Sequence, residues 1–255
     1  MIVVLSSVRG APGVTSWCLL LAAAWPDDLG RERAVLEADV DGGVLGARYG
    51  LGVEPGVVSL IASLRHGGDA VAVADHGRMA APGLWLVPGP ESAEQAGAVW
   101  SGTAGHVAAR LASDDRVWLV DGGRLSQTKP TIPLAEWSTL TLVVSRSASE
   151  DLLQVPRRVA WLQQHASTVG VLVVGKAPYD NSELAEFFGT ASVRSAADSD
   201  DLTQMAGQAL TPGRARRSLL WRSAVEVAAD VASLAVAPVP AVRVDTSGIG
   251  ERRFA

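Results

Sequence analysis

The chain has 255 residues, a length at which a single domain with one continuous core is the default expectation. Hydrophobic residues make up 48% and charged residues 19% of it, a balance that excludes a disordered chain. The net charge of −5 argues against a surface that binds nucleic acid over its whole extent. With one cysteine, Cys18, and four histidines at no ligand spacing, the sequence offers neither an intramolecular disulfide nor a cysteine-based metal site.

Short apolar runs alternate with longer helix-compatible segments, an alternation typical of βαβ units. Most of the runs are rich in Val and Leu without polar alternation, as expected of parallel strands that are covered on both faces. The predicted strands are Ile2–Ser6, Ala34–Ala38, Leu84–Val87, Arg116–Val120, Leu140–Ser145 and Val169–Val174. The predicted helices are Val14–Ala24, Val57–Leu64, Ala93–Leu111, Glu150–His165, Asn181–Phe188 and Arg214–Leu234. The sequence therefore predicts an α/β fold with a mainly parallel sheet and helices on both faces.

The distribution of apolar residues bears on signal peptides and membrane spans. The N-terminal run Met1–Leu5 is short and lacks the basic residues that precede a secretory h-region, so it predicts a buried strand. No stretch approaches the roughly 18–20 apolar residues of a membrane span, and we expect a cytoplasmic chain without a transmembrane segment. Residues 1–235 are predicted to form the domain, and residues 236–255 a poorly ordered tail.

The first predicted strand leads into the segment Arg9-Gly10-Ala11-Pro12-Gly13-Val14-Thr15-Ser16 at the start of an apolar helix. A glycine-containing turn between a strand and a helix directs backbone N–H groups to one point, where the helix dipole also favours an anion. Such a turn with two glycines is weak evidence by itself, and an ordinary tight βα turn is the alternative interpretation.

This segment resembles the deviant Walker A loop of the ParA/MinD family of P-loop ATPases (SIMIBI class), which reads Lys-Gly-Gly-x-Gly-Lys-Thr-Thr/Ser. The resemblance places Arg9 on the signature lysine and both Gly10 and Gly13 on glycines of the motif. It places Thr15 on the hydroxyl that binds Mg²⁺ and Ser16 on the hydroxyl residue that follows. The whole loop, including Pro12, is the expected nucleotide-binding segment, and the family implies a MinD/ParA-like three-layer sandwich.

The loop departs from the family motif at two positions. Ala11 replaces a glycine, and Val14 replaces the lysine that bridges the β- and γ-phosphates in the family. A cation about 4 Å from a phosphate oxygen contributes roughly 4 kcal/mol at an effective dielectric near 20, and valine supplies none of it. We therefore expect weak binding of ATP and Mg²⁺ and weak or absent hydrolysis. Arg9 is the only nearby replacement cation, and either gripping a phosphate or pairing with a carboxylate is open to it.

Two acidic strand ends follow the loop in the order that the family shows. The segment Glu37–Gly43 resembles the family's Asp-x-Asp-x-x-Gly stretch, with Asp39 on the catalytic, water-orienting aspartate and Glu37 where an aspartate is usual. The later strand that ends at Asp121 resembles Walker B, whose aspartate supports Mg²⁺ through water. The first segment alone is more typical of a solvated loop, and strands that end in aspartate are common, but the order of the three motifs favours function. The implied metal residues are Thr15, Asp39 and Asp121.

The positions that hold adenine in the family are altered. Gly175 and Lys176 occupy the strand end where many relatives have an asparagine, and Ala196-Ala197-Asp198 replaces the usual Pro-x-Asp. Adenine recognition is therefore expected to be weakened. The basic run Arg214–Arg217 is interpreted as a solvated helix end, with lipid or DNA contact as the alternative, so no strong nucleic-acid signal is present.

The segments Glu54–Leu60 and Pro88–Pro90 add a resemblance to TadZ/CpaE proteins of high-GC bacteria, which position the Tad/Flp pilus machine beside its motor ATPase. This resemblance implies a homodimeric localisation or assembly factor with a degenerate nucleotide site. Its implied partners are a pilus or secretion motor ATPase or other assembly proteins, at a pole or a membrane-associated machine. The alternative is an active ATPase in chromosome or plasmid partition or in septum-site placement.

Overall fold

The computed structural model describes residues 1–9, 12–26, 30–52, 54–66, 73–210 and 213–234. Gly10 and Ala11 of the expected nucleotide loop and the expected tail 236–255 lie outside these ranges. The strands are β1 (Ile2–Ser7), β2 (Arg33–Glu37), β3 (Arg78–Ala81), β4 (Leu84–Val87), β5 (Val117–Arg124), β6 (Leu140–Arg146), β7 (Val169–Val174) and β8 (Ser192–Ala196).

Helices in these ranges connect most of the successive strands. They are α1 (Val14–Ala23), α2 (Leu45–Tyr49), α3 (Val57–Arg65), α4 (Val73–His76), α5 (Ala93–Trp100), α6 (Ala104–Ala112), α7 (Ile132–Glu136), α8 (Ser149–Leu152), α9 (Val155–Leu162), α10 (Asn181–Phe188), α11 (Leu202–Ala209) and α12 (Leu219–Leu234), with a 3₁₀ helix at Arg214–Arg217. None of these helices has the combination of length and apolar character that crossing a membrane requires.

One sheet of eight strands organises the described part of the chain, in the order β3-β4-β2-β5-β1-β6-β7-β8. All neighbours pair in parallel except β3, which runs antiparallel to β4 at one edge. The predicted α/β class with a mainly parallel sheet is confirmed. Because β1 lies between β5 and β6, and β5 also pairs with β2, the carboxyl ends of β1, β5 and β2 lie side by side. In such sheets ligands bind at this edge.

Both faces of the sheet are covered by helices. On one face α1, α11 and α12 form a core cluster, within which Trp17 and Cys18 of α1 have no exposed surface. On the other face Trp100 and Trp118 are fully buried in a cluster that includes α3 and α6, and α8–α10 pack over β6 and β7 in a third cluster. Helix α1 is apolar all round, which is typical of a helix that is enclosed by its neighbours.

Three helices that the sequence predicted as continuous are interrupted. The predicted helix Ala93–Leu111 breaks between α5 and α6, where Gly102 adopts a left-handed φ of +69°. The predicted helix Glu150–His165 divides into α8 and α9, and Pro156 stands in the first turn of α9, where its missing N–H is tolerated. The predicted helix Arg214–Leu234 begins as a 3₁₀ turn and becomes α-helical only from Leu219.

Candidate functional site

The start of α1 and the end of β5 meet in a short hydrogen bond. Thr15, in the first turn of α1, donates from Oγ1 to Asp121 Oδ2 at 2.5 Å. The other carboxylate oxygen of Asp121 accepts from the Gly123 N–H at 3.0 Å. Asp121 is 1% exposed, so both of its oxygens are satisfied within the protein. The structure thus brings together the hydroxyl and the carboxylate that the sequence assigned to Mg²⁺.

Burial dominates the electrostatics of Asp121. The pKa of this carboxyl is raised from its ordinary value of 3.8 to about 7, mainly by desolvation and to a smaller extent by the nearby charges of Glu37 and Asp39. The hydrogen bonds from Thr15 and Gly123 favour the charged form and oppose that rise. A divalent cation beside Asp121 would favour the carboxylate in the same way as these donors do.

Gly13 and Val14 begin helix α1, and the Val14 side chain is buried in the core. Gly13 caps α1 in the left-handed region with φ +89°, and its carbonyl accepts from the Trp17 N–H at 2.8 Å. Val14 is 7% exposed and belongs to the core cluster around α1. Pro12 is also buried, and the Ser16 hydroxyl lies 3.5 Å from the Thr203 hydroxyl of α11. Neither Val14 nor its neighbours within the described ranges presents a cation at the turn.

Lys129 was missed by the sequence analysis. It lies in the loop after β5, and its Nζ donates to Asp41 Oδ2 at 2.9 Å and stands 3.4 Å from Asp39 Oδ1. Asp39 Oδ1 in turn accepts from the Asp41 N–H at 3.0 Å. The expectation that Arg9 is the only cation near the site is therefore wrong. Arg9 itself is exposed, and within the described residues it has no ion-pair or hydrogen-bond partner.

Glu37, which stands where the family usually has an aspartate, is a buried acceptor of backbone hydrogen bonds. Glu37 is 1% exposed, and its carboxylate accepts from three backbone N–H groups, those of Val44 at 2.6 Å, Leu45 at 3.0 Å and Gly89 at 2.9 Å. Burial raises the pKa of Glu37, although these three donors favour its charged form. Glu37 thus fastens the loop after β2 to the end of β4.

The expected adenine-binding positions lie at the ends of β7 and β8. Gly175 follows β7 with φ +99°, and Lys176 beside it is exposed. At the end of β8, the Ala197 N–H donates to Ser223 Oγ of α12 at 3.1 Å, and Asp198 Oδ1 accepts from the Ser199 N–H at 2.8 Å. Asp198 therefore makes a local turn contact.

The oxygen donors at the site fit a magnesium ion in part. Mg²⁺ prefers hard oxygen ligands and retains several waters, and the Thr15 hydroxyl and the Asp121 carboxylate are ligands of this kind. Asp39, the third residue that the sequence assigned to the metal, is paired with Lys129. Within the described residues, no three His, Cys, Asp or Glu side chains are arranged so that they could hold a metal ion.

Solved structures of ParA and MinD proteins superpose on most of this chain. A ParA family ATPase from Chlorobium tepidum TLS superposes with a TM-score of 0.72 at 15% identity, over 89% of this chain and 97% of that one. The cell division ATPase MinD from Pyrococcus furiosus gives 0.73 at 15% identity, over 91% and 98%. The septum site-determining protein MinD from Pyrococcus horikoshii OT3, complexed with Mg-ADP, gives 0.72 at 16% identity, over 92% and 97%.

The chain has the ParA/MinD fold. No protein-family model and no curated protein sequence matches it. At these identities the likeness extends to the architecture, and the chemistry of this chain depends on its own site residues.

Proposed function

We propose that this chain is a localisation or assembly factor that uses the ParA/MinD fold as a homodimer and carries a degenerate nucleotide site. The observation that supports this most directly is the buried Val14 beside an intact Thr15–Asp121 hydrogen bond. The parts that would hold Mg²⁺ near a phosphate are retained. The charge that would stabilise the transferring phosphoryl group is absent at its place in the loop.

The site binds Mg-ATP weakly in this proposal. Backbone N–H groups at the start of α1 and the Thr15 and Asp121 oxygens provide attraction for a nucleotide with its metal. Solved proteins of this fold include the Pyrococcus horikoshii MinD with Mg-ADP and a Cyanothece McdA(D38A)–ATP complex. The present chain offers less positive charge to the phosphates, because Lys129 is paired with Asp39 and Asp41 and the Arg9 side chain is exposed to solvent.

The proposed machine is a Tad/Flp-type pilus or secretion system, with its motor ATPase or another assembly protein as the partner. This part of the proposal rests on the two segments that resemble TadZ/CpaE proteins. These segments meet in space, because the Val57 N–H donates to the Pro88 carbonyl at 2.9 Å. Gly89 joins them to the acidic loop through its hydrogen bond to Glu37. The two segments therefore pack against each other, with Val57 and Pro88–Pro90 buried at their contact.

A working ATPase in partition or septum placement is the second candidate. The Thr15–Asp121 pair favours it, because a hydroxyl and a buried carboxylate in contact are what a magnesium site of this fold needs. The two candidates differ in how far Val14, in place of the lysine, lowers the rate of ATP hydrolysis.

Mg-ATP binding and turnover of the purified chain and of Val14→Lys separate the candidates. We expect wild-type affinity to be about micromolar or weaker with turnover at background, because no cation reaches the phosphates from position 14. Val14→Lys is expected to raise affinity at least about tenfold, a part of the roughly 4 kcal/mol that such a cation can contribute. Val14→Met is the matched control, since it adds length without charge.

The proposal fails if the wild-type chain turns over Mg-ATP steadily and Asp39→Ala abolishes that turnover. It also fails if Val14→Met raises affinity as much as Val14→Lys does, because the gain would then come from packing in the core.

A further inference from the structure

Lys129 is a largely buried cation in the loop after β5. Its side chain is 11% exposed, while the two aspartates that it contacts, Asp39 and Asp41, are 25% and 62% exposed. Lysine is almost never buried to this extent without a charged partner. The two carboxylate contacts therefore hold the ammonium group at the acidic edge of the sheet.

Close contacts connect this ion pair to the phosphate-loop helix. Gly123 lies directly against the Asp39 carboxylate, so that a Cβ on Gly123 would come within 2.1 Å of Asp39 Cγ. The Gly123 N–H donates to Asp121, which accepts from Thr15. One continuous series of contacts therefore runs from Lys129 to the start of α1.

We propose that Lys129 is a tethered counter-cation that takes the place of a divalent metal ion at Asp39 and Asp41. Two carboxylates that contact the same ammonium group repel each other, and either that ammonium group or a divalent ion relieves this repulsion. Because Lys129 belongs to the chain, its effective concentration at the carboxylates is high, and a free metal ion must displace it. This inference rests on the proposed function in treating Asp39 as the aspartate of a degenerate nucleotide site.

The consequence is a site that is assembled without nucleotide or metal. Lys129 ties the loop after β5 to the loop after β2, and Glu37 ties that second loop to the end of β4. The surface formed by these loops is then present permanently. A partner that recognises it would bind whether or not ATP is available, as a constitutive assembly factor requires.

Mn²⁺ binding to the full chain in the absence of nucleotide tests this proposal, with electron paramagnetic resonance of the free ion as the measurement. Lys129→Met keeps the length of the side chain and removes its charge. We expect it to bind Mn²⁺ at least about tenfold more tightly than the wild type, because a positive charge within hydrogen-bond distance of the carboxylates is gone. Lys129→Arg keeps the charge and should bind Mn²⁺ within about twofold of the wild type. Arg65→Met, which removes an exposed charge at the end of α3, should also leave Mn²⁺ binding unchanged.

A double variant shows whether the added Mn²⁺ affinity depends on the Asp39 carboxylate. Asp39→Asn combined with Lys129→Met should lose the added affinity, whereas Asp39→Asn alone should have little effect because Lys129 already neutralises that carboxylate. Circular dichroism checks that each variant folds, and Lys129→Gln replaces Lys129→Met if the latter does not. No gain in the folded neutral variant, or an equal gain in Lys129→Arg, overturns the proposal. Since no nucleotide is present, this result is independent of the ATPase measurements that decide the proposed function.

Discussion

The fold perturbs the ionisation of Asp121, whose carboxyl is buried. Its folded pKa of about 7 lies above its ordinary value of 3.8, so the folded chain retains a proton that the unfolded chain has released over this interval. The free energy of unfolding must then fall as the pH rises from about 4 to about 7, at most by about 1.4 kcal/mol per pH unit. Below about pH 4 both states are protonated, and this contribution no longer changes.

Asp121→Asn should flatten this pH dependence, because the amide cannot titrate. The measurement is the urea midpoint of the wild type and the variant at pH 5 and pH 7.5 without metal. We expect the wild type to lose more stability than the variant between the two values. Some slope will remain, since burial also raises the pKa of Glu37. An identical slope in both proteins would mean that Asp121 is ionised throughout this interval.

Gly123 and Gly102 both adopt a left-handed backbone, with φ of +58° and +69°, but their surroundings differ. A Cβ at Gly102 would meet nothing within 4 Å, while one at Gly123 would collide with the carboxylate of Asp39. Gly102→Ala should therefore cost only the roughly 1–2 kcal/mol of a left-handed alanine. Gly123→Ala should cost about 1–3 kcal/mol more, because Asp39 has to move. An equal decrease in the free energy of unfolding for the two variants, measured by urea, would show that Asp39 is not held against Gly123.

At the scale of elements, Glu37 determines how the loop after β2 is attached to the sheet. Glu37→Gln replaces one acceptor oxygen by an N–H₂ group, which leaves at least one buried backbone N–H without a partner. Each such loss costs about 1–3 kcal/mol. Glu32→Gln is the control, because Glu32 carries a partly exposed ion pair with Arg116 that contributes about 0–1 kcal/mol. If chemical denaturation gives the same decrease in the free energy of unfolding for both variants, Glu37 does not hold the loop against the sheet.

The elements that the sequence predicted best are those with a strong local signal. The bounds predicted for β4, β7 and α10 are those of the structure, because each is a compact apolar run or carries a capping box, as Asp180 and Glu183 do for α10. Strand β8 was missed, since only Val193 and Ala196 of its five residues are buried and its sequence lacks a continuous apolar run.

The site was predictable where its residues fall within a motif, as Thr15 and Asp121 do. Lys129 was not predictable, because 90 residues separate it from Asp39. Their meeting depends on β2 pairing with β5, which is a property of the strand order in the sheet. The buried role of Glu37 was missed for the same reason, since Gly89 is 52 residues away along the chain.

At the scale of the whole molecule, the exposed Arg9 at the carboxyl edge of the sheet is the residue on which the proposed homodimer depends most. We expect a dimer in sedimentation experiments, with the two Arg9 side chains near the two-fold axis. Because Arg9 makes no ion pair within the described part of the chain, its partner in the dimer would come from the second copy. Arg9→Ala should then weaken dimerisation by roughly 2–5 kcal/mol.

Arg217→Ala is the control for this prediction, because Arg217 is also exposed and is the last residue of the 3₁₀ helix Arg214–Arg217, just before α12. A change below about 0.5 kcal/mol for Arg9→Ala would assign Arg9 to the ordinary surface charges. A monomer at high concentration, with and without ATP, would contradict the dimer itself.

The single thiol of the chain has a practical consequence. Cys18 lies on α1 and is completely buried in the core. Burial raises the pKa of its thiol well above the ordinary value, so the group stays protonated and is inaccessible to reagents. Any cysteine introduced on the surface would therefore react with a maleimide dye long before the native one. Fluorophores or spin labels can be attached at chosen positions without first replacing Cys18, and distances between two copies of the chain can be read from the otherwise unaltered protein.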